Sequence, residues 1–138
     1  MDKPTRIVDM MYENDKFSQW LGIERVLIEE GRAILKMVIR KEMLNGFDIA
    51  HGGIVFSLAD SAFAFSSNSF GKKSVSIEAS VNWTKALYEN DEIVAESKMR
   101  SISIKQAVFD IDVKRGEEIV AIFRGIVYRT SKDWIEEV

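Results

Sequence analysis

Asp60 is the one carboxylate in an apolar run that opens at Gly52 and continues past Phe65. Taking a carboxylate out of water costs several kcal/mol, roughly, or forces its pKa upward, so such a residue needs a reason to be there. Asp60 is therefore a candidate nucleophile or general base. Ahead of it stand Gly52 and Gly53, and before them His51, the only histidine of the chain. If the run is a helix, the first backbone N–H groups are unpaired and carry the positive end of the helix dipole, which suits an oxygen gaining negative charge. Glycine also lets a carbonyl approach the backbone closely. Gly53 is the expected oxyanion donor, with Gly52 beside it in contact with substrate. His51, just before the helix, is expected to fix the loop by hydrogen bonding, with proton transfer the less favoured role.

The element that positions these groups is a helix of about five turns, free of proline. At ~100° per residue, Gly53, Ser57, Asp60, Ala64 and Ser67 share a small or polar stripe. Val55, Leu58, Ala59, Ala62, Phe63 and Phe65 cover the other side. Asp60 lies seven residues beyond Gly53, ~10 Å along the axis at 1.5 Å per residue. Both groups must come within ~3 Å of one reacting centre, so one helix does not supply both. A two-fold dimer with antiparallel helices, Gly53 of one subunit facing Asp60 of the other, resolves the spacing.

Around that helix the chain reads as α+β. Pro4 suits the first turn of a helix over the opening segment, and Phe17, Trp20 and Leu21 a second short piece ended by Gly22. Residues 23–39 give two β-branched runs joined at Glu30-Gly31, and residues 40–50 a connection. Gly71-Lys72-Lys73 reads as a turn, Ser74–Thr84 as a strand, and three further strand-like runs follow, the last hairpin turning at Arg115-Gly116. The tail from Ser131 is expected to be peripheral, with Trp134 on the sheet edge.

Length and composition narrow the function classes. The 138 residues predict one domain with a sizeable core, 46% hydrophobic and 30% charged as in ordinary globular proteins. A net charge of −3 gives no reason to expect nucleic acid. The absence of cysteine excludes disulfides and thiolate chemistry, and a lone histidine argues against a metal centre. There is no signal-peptide pattern and no long apolar span, so a cytoplasmic protein without membrane association is expected. A serine-hydrolase elbow and a glycine-rich phosphate cradle are both missing.

The ordered set MYENDKFSQWLGI, MLNG, HGGIVFSLADSAFAFSSNS and VAIFRG resembles the hotdog-fold acyl-CoA thioesterases, and among them the PaaI-like, phenylacetate-degradation branch. That resemblance covers nearly the whole chain. It implies a long central helix wrapped by an antiparallel sheet, a homodimer with composite sites usually paired into a homotetramer, and thioester hydrolysis with no cofactor. It also implies that Asn45 orients the catalytic region and that Ser76 places a hydroxyl near the attacking water or carboxylate. Aryl or medium-length acyl groups are the expected substrates. Lys72, Lys73, Lys85 and Arg124 are the expected grips for the CoA nucleotide. Many relatives have Arg-Pro where Lys85-Ala86 stands, which keeps the charge and loses the rigid turn. The alternatives are a non-catalytic acyl-CoA sensor of the same fold, against which Asp60 argues, and a hydratase, which would want a histidine after Asp60.

Overall fold

A computed structural model describes residues 1–136. Helix α1 (Lys3–Asn14) is capped by Asp2, whose side chain accepts from the Thr5 amide. Helix α2 (Lys16–Leu21) is capped by Asp15 and ended by Gly22 in the left-handed region, φ 75°. Strands β1 (Glu24–Glu29) and β2 (Arg32–Val38) turn at Gly31, φ 74°, a conformation glycine adopts without strain. A short 3-10 turn, Lys41–Met43, leads into the central helix α3 (Gly52–Asn68). Strands β3 (Lys72–Trp83), β4 (Glu92–Ile102), β5 (Gln106–Arg115) and β6 (Glu118–Asp133) follow.

The six strands form one antiparallel sheet in the order β1-β2-β4-β5-β6-β3, and α3 lies against its inner face. This is the helix-in-sheet layout expected from the sequence. Period-two alternation turns Ala107, Phe109, Ile111 and Val113 of β5 inward, where they meet Leu58, Ala59, Ala62, Phe63 and Phe65 of α3. Phe63 packs between Phe109 and Phe123, with ring centroids 6.1 and 5.5 Å away. Its ring also presses on the backbone at Gly125, where a Cβ would come within 2.6 Å of it.

Two expectations change in detail. The Lys72-Lys73 turn is already strand, since β3 begins at Lys72 and pairs there with Asp133. The tail is less peripheral than expected: β6 continues to Asp133, and the Trp134 indole donates to Asn68 Oδ1 at 2.8 Å, fastening the chain to the end of α3. Glu137 and Val138 lie outside the described residues. Ser67, at the end of the small or polar stripe, is buried, because the last turn of α3 folds into a polar network in which Asn68 bonds both backbone groups of Ser74.

Strand β3 pairs on one side only, with β6, over the register Lys72↔Asp133 to Trp83↔Ala121. Val75 and Ile77 on it are each 54% exposed. Gly125→Ala should destabilise the fold by about 2 kcal/mol, the usual penalty of overpacking, because the Phe63 ring has rigid neighbours on its other faces. Urea denaturation of the two proteins side by side measures it.

Candidate active site

The entrance to α3 is built by a short, heavily tied loop. Leu44 and Ala50 bridge across it, Asn45 N–H donates to the Ile49 carbonyl at 2.8 Å, and His51 N–H donates to the Met43 carbonyl at 2.8 Å. The Asn45 side chain contributes from within, its Oδ1 accepting from the Phe47 amide at 2.8 Å. His51 caps the helix: its Nδ1 accepts from the Gly53 amide at 3.1 Å. An accepting Nδ1 places the ring proton on Nε2, and the bond ties the imidazole to the first turn of α3.

That cap distinguishes the two glycine amides. The Gly53 amide is already donating to His51, and its carbonyl accepts from Ser57 Oγ at 2.6 Å. The Gly52 amide has no acceptor among the described residues, while its carbonyl accepts from the Trp83 indole at 3.1 Å. A Cβ at Gly52 would lie 3.1 Å from the Trp83 ring, so the residue is held against that indole.

Two clefts flank this helix start. One, of about 320 Å³, is lined by Asn45, Ile49, Gly52, Trp83 and Lys85. The other, of about 380 Å³, is lined by Phe17, Met43, Leu44, His51, Gly53 and Ser57. The structure therefore gathers Asn45, His51, Gly52, Gly53 and Lys85 at one place. It does not bring the remaining sequence-derived residues there. Ser76 stands in the middle of β3 opposite Val127, and Arg124 is locked bidentately to Asp110 across β5 and β6, at 2.6 and 2.9 Å.

Asp60 is half-buried on the stripe left open along α3, with Gly53, Ser57 and Ala64, and its carboxylate accepts no hydrogen bond among the described residues. Burial pushes its carboxyl above the ordinary range, and the negative charge of Asp15 pushes it further the same way. Asp15 is held beside it by a chain of hydroxyls. Its Oδ2 accepts from Ser18 Oγ at 2.6 Å, and Ser18 Oγ lies 2.8 Å from Ser61 Oγ, the neighbour of Asp60. The sequence reading missed Asp15, Ser18, Ser61 and Trp83. The D-x-x-S spacing of a helix cap was available as a signal for Asp15, whereas Trp83 meets Gly52 only through the register of β3. Among the described residues no cluster of three or more His, Asp or Glu side chains could hold a metal ion, and no helix is long and apolar enough to cross a membrane.

A sequence model of the thioesterase superfamily matches residues 47–122, more than half of the chain. The chain belongs to that superfamily. A putative esterase of Archaeoglobus fulgidus is 42% identical over 130 residues, 94% of this chain and 84% of that protein. The acyl-coenzyme A thioesterase PaaI of Escherichia coli is 37% identical over 120 residues, 86% of each chain. The solved structure of E. coli PaaI superposes with a TM-score of 0.92 at 33% identity, covering 95% of this chain and 96% of that one. A Streptococcus mutans protein bound to acetyl CoA superposes with a TM-score of 0.77 at 25% identity, over 80% of this chain and 90% of that one. This superfamily member has the hotdog fold and is a PaaI-like thioester hydrolase.

A raised carboxyl pKa has a definite sign in stability. The favourable contribution of Asp60 is complete only below its unfolded value, near 3.8, and is lost as pH rises through the higher folded value. Asp60→Asn should therefore melt at a higher temperature than wild type at pH 7, by an increment that shrinks as pH is lowered toward 3.8. Thermal melts across that range check it.

Proposed function

We propose that the protein hydrolyses an aryl- or medium-chain acyl-CoA to the free acid and CoA, as a single cytoplasmic domain that works as a homodimer assembled into a homotetramer. The observation that carries the reading is the open stripe of α3, with a Gly52 amide lacking an acceptor at one end and the unbonded, half-buried Asp60 carboxylate further along. The names of the E. coli relative and of the acetyl-CoA-bound neighbour support CoA thioesters as the substrate class.

Gly52, with Asp60 eight residues beyond it, is ~12 Å from it along the helix, so the acid and the amide serve one thioester only from different subunits. The free edge of β3 supports that arrangement. Antiparallel pairing of two β3 edges about a two-fold axis sets their α3 helices antiparallel and satisfies the unpaired backbone groups. We assign the oxyanion contact to Gly52 rather than Gly53, since the Gly53 amide is taken by His51. With the thioester carbonyl at Gly52, Asp60 of the partner subunit attacks the carbonyl carbon or takes a proton from the water that attacks it. The tetrahedral oxyanion is held by the Gly52 amide, a contribution of ~3 kcal/mol in comparable sites. The C–S bond breaks as the carbonyl re-forms. When water attacks, the free acid forms at once and Asp60 returns the proton it took to the departing thiolate. When Asp60 itself attacks, the mixed anhydride it forms is hydrolysed by water to the free acid and the Asp60 carboxylate, with the thiolate protonated from water. Asn45 and His51 hold the loop that presents Gly52, Ser76 lies near the two-fold axis of the paired edges, and Lys85 is the cation nearest the departing CoA.

Release of CoA from phenylacetyl-CoA, benzoyl-CoA and straight-chain acyl-CoAs, followed for wild type and Asp60→Asn, tests the proposal. Turnover by wild type that falls at least ~100-fold in the variant is expected. Binding without turnover by either protein would identify a sensor instead.

The Asp15 carboxylate adds a second test. Asp15→Asn keeps a good helix cap and removes one negative charge beside Asp60, whose ionisation burial otherwise dominates. The acid limb of kcat/KM should then move to lower pH. A uniform loss of rate with the limb unmoved would reduce Asp15 to a structural cap.

A further inference from the structure

Gly52 and Gly53 stand in succession at the start of α3, and glycine has more backbone freedom to lose than any other residue. The amide assigned to the oxyanion is therefore on the part of the chain least able to hold an aim by itself. Two peptide planes meet at Gly52. The plane carrying its N–H is held through the His51 carbonyl, which accepts from the Ile54 amide at 2.9 Å. The following plane is held at its N–H by His51 Nδ1 and at its carbonyl by the Trp83 indole, each at 3.1 Å. The bonds from Ile54 and His51 lie within residues 51–54 and move with them. The indole, thirty-one residues away in the chain, ties the glycines to a separate element.

Trp83 is itself fixed to the sheet. It is the last residue of β3, opposite Ala121, and the residue after it is fastened twice to β6. The Thr84 amide donates to the Val120 carbonyl at 2.9 Å and Thr84 Oγ1 to the Ile119 carbonyl at 2.8 Å. The indole lies along Gly52, with Cε2, Cζ2 and Nε1 at 3.1, 3.2 and 3.3 Å from where a Cβ would stand. A first-turn carbonyl finds its donor inside the helix, so satisfying Gly52 does not require the indole. Nor does the ring serve the core, since it is 52% exposed, on the wall of the cleft that holds Asn45 and Lys85. What remains for the bond is constraint: it fixes the plane that glycine leaves free.

We propose that Trp83 is a positioning residue for thioester hydrolysis: its indole N–H, donated to the Gly52 carbonyl, couples the sheet to the helix start and keeps the Gly52 amide aimed at the oxyanion. The inference rests on the thioesterase reading and on Gly52 as the donor. The oxygen to be met is that of the tetrahedral intermediate, displaced from its place in the ground-state thioester, so a poorly aimed amide costs rate and leaves substrate binding intact.

Trp83→Phe keeps a ring against Gly52 and removes the N–H. For an acyl-CoA turned over by wild type, kcat is expected to fall about fivefold, the scale of one neutral hydrogen bond, with KM unchanged. NMR relaxation is expected to show the Gly52 and Gly53 amides more mobile in the variant on the ps–ns timescale, with the rest of α3 as ordered as in wild type. An unchanged kcat, a change confined to KM, or a fall in kcat with both amides as ordered as before would overturn the inference. Replacing the Trp83 indole by its benzothiophene isostere exchanges N–H for sulfur and keeps the shape of the ring. It should reproduce both effects, and wild-type values with it would likewise overturn the inference. If wild type hydrolyses no thioester, the thioesterase reading fails, and mobility alone then decides whether Trp83 positions the helix start: amides loosened by either replacement support it, and amides unmoved overturn it.

Discussion

The sheet and the two N-terminal helices close over α3 on every side but one, and a carboxylate stands in the opening. The rest of the molecule follows from reconciling those two facts. A helix with Leu58, Ala62, Phe63 and Phe65 on it must be buried to be stable, and the curved face of β2 to β6 supplies the cover. The same cover raises the free energy of any charge it encloses, so Asp60 is a stronger base than a carboxylate in water. Fold and reactivity are thus set by one packing arrangement, and a change that buried Asp60 completely would neutralise it. The polar last turn of α3 shows the contrast. Ser66, Ser67, Asn68 and Ser69 are as buried as the phenylalanines, but they are neutral and hydrogen-bonded, so they fix the helix end without reactivity.

At the other end of α3 a single side chain sorts two adjacent amides. His51 accepts from one and leaves its neighbour open, while Trp83 takes the neighbour's carbonyl and seals one wall. A Cβ at position 52 would lie 3.1 Å from that indole, so Trp83 would have to give by a few tenths of an ångström to admit one. The loop before it is rigid because its backbone groups are paired, with Ala50 N–H reaching the Leu87 carbonyl and His51 N–H the Met43 carbonyl.

Much of this was legible in the residues. Alternation marks β5 and β6, left-handed glycines mark the turns at Gly31 and Gly116, and the apolar run marks α3 with its open stripe through Gly53, Ser57 and Asp60. What escaped depends on partners distant in the chain. Trp83 reaches Gly52 only because β3 pairs with β6 in one register, and Ser18 reaches Ser61 only because α2 docks on α3. That the Gly53 amide is taken up by the His51 side chain is likewise something periodicity does not report. Arg124, expected as a grip for CoA, faces Asp110 only because the register of β5 and β6 slips between Val113 and Lys114, which counting outward from the turn does not report.

The uncovered edge of β3 bears on the life of the chain before any substrate is met. It runs for twelve residues without a proline and exposes Val75 and Ile77, so the charges of Lys72, Lys73 and Glu78 and its two register irregularities blunt the edge without closing it. A newly synthesised copy therefore carries an adhesive strand from the moment the sheet forms. Solubility is then won by finding a correct neighbour sooner than a wrong one, and dilution, overexpression and crowding all act on that race.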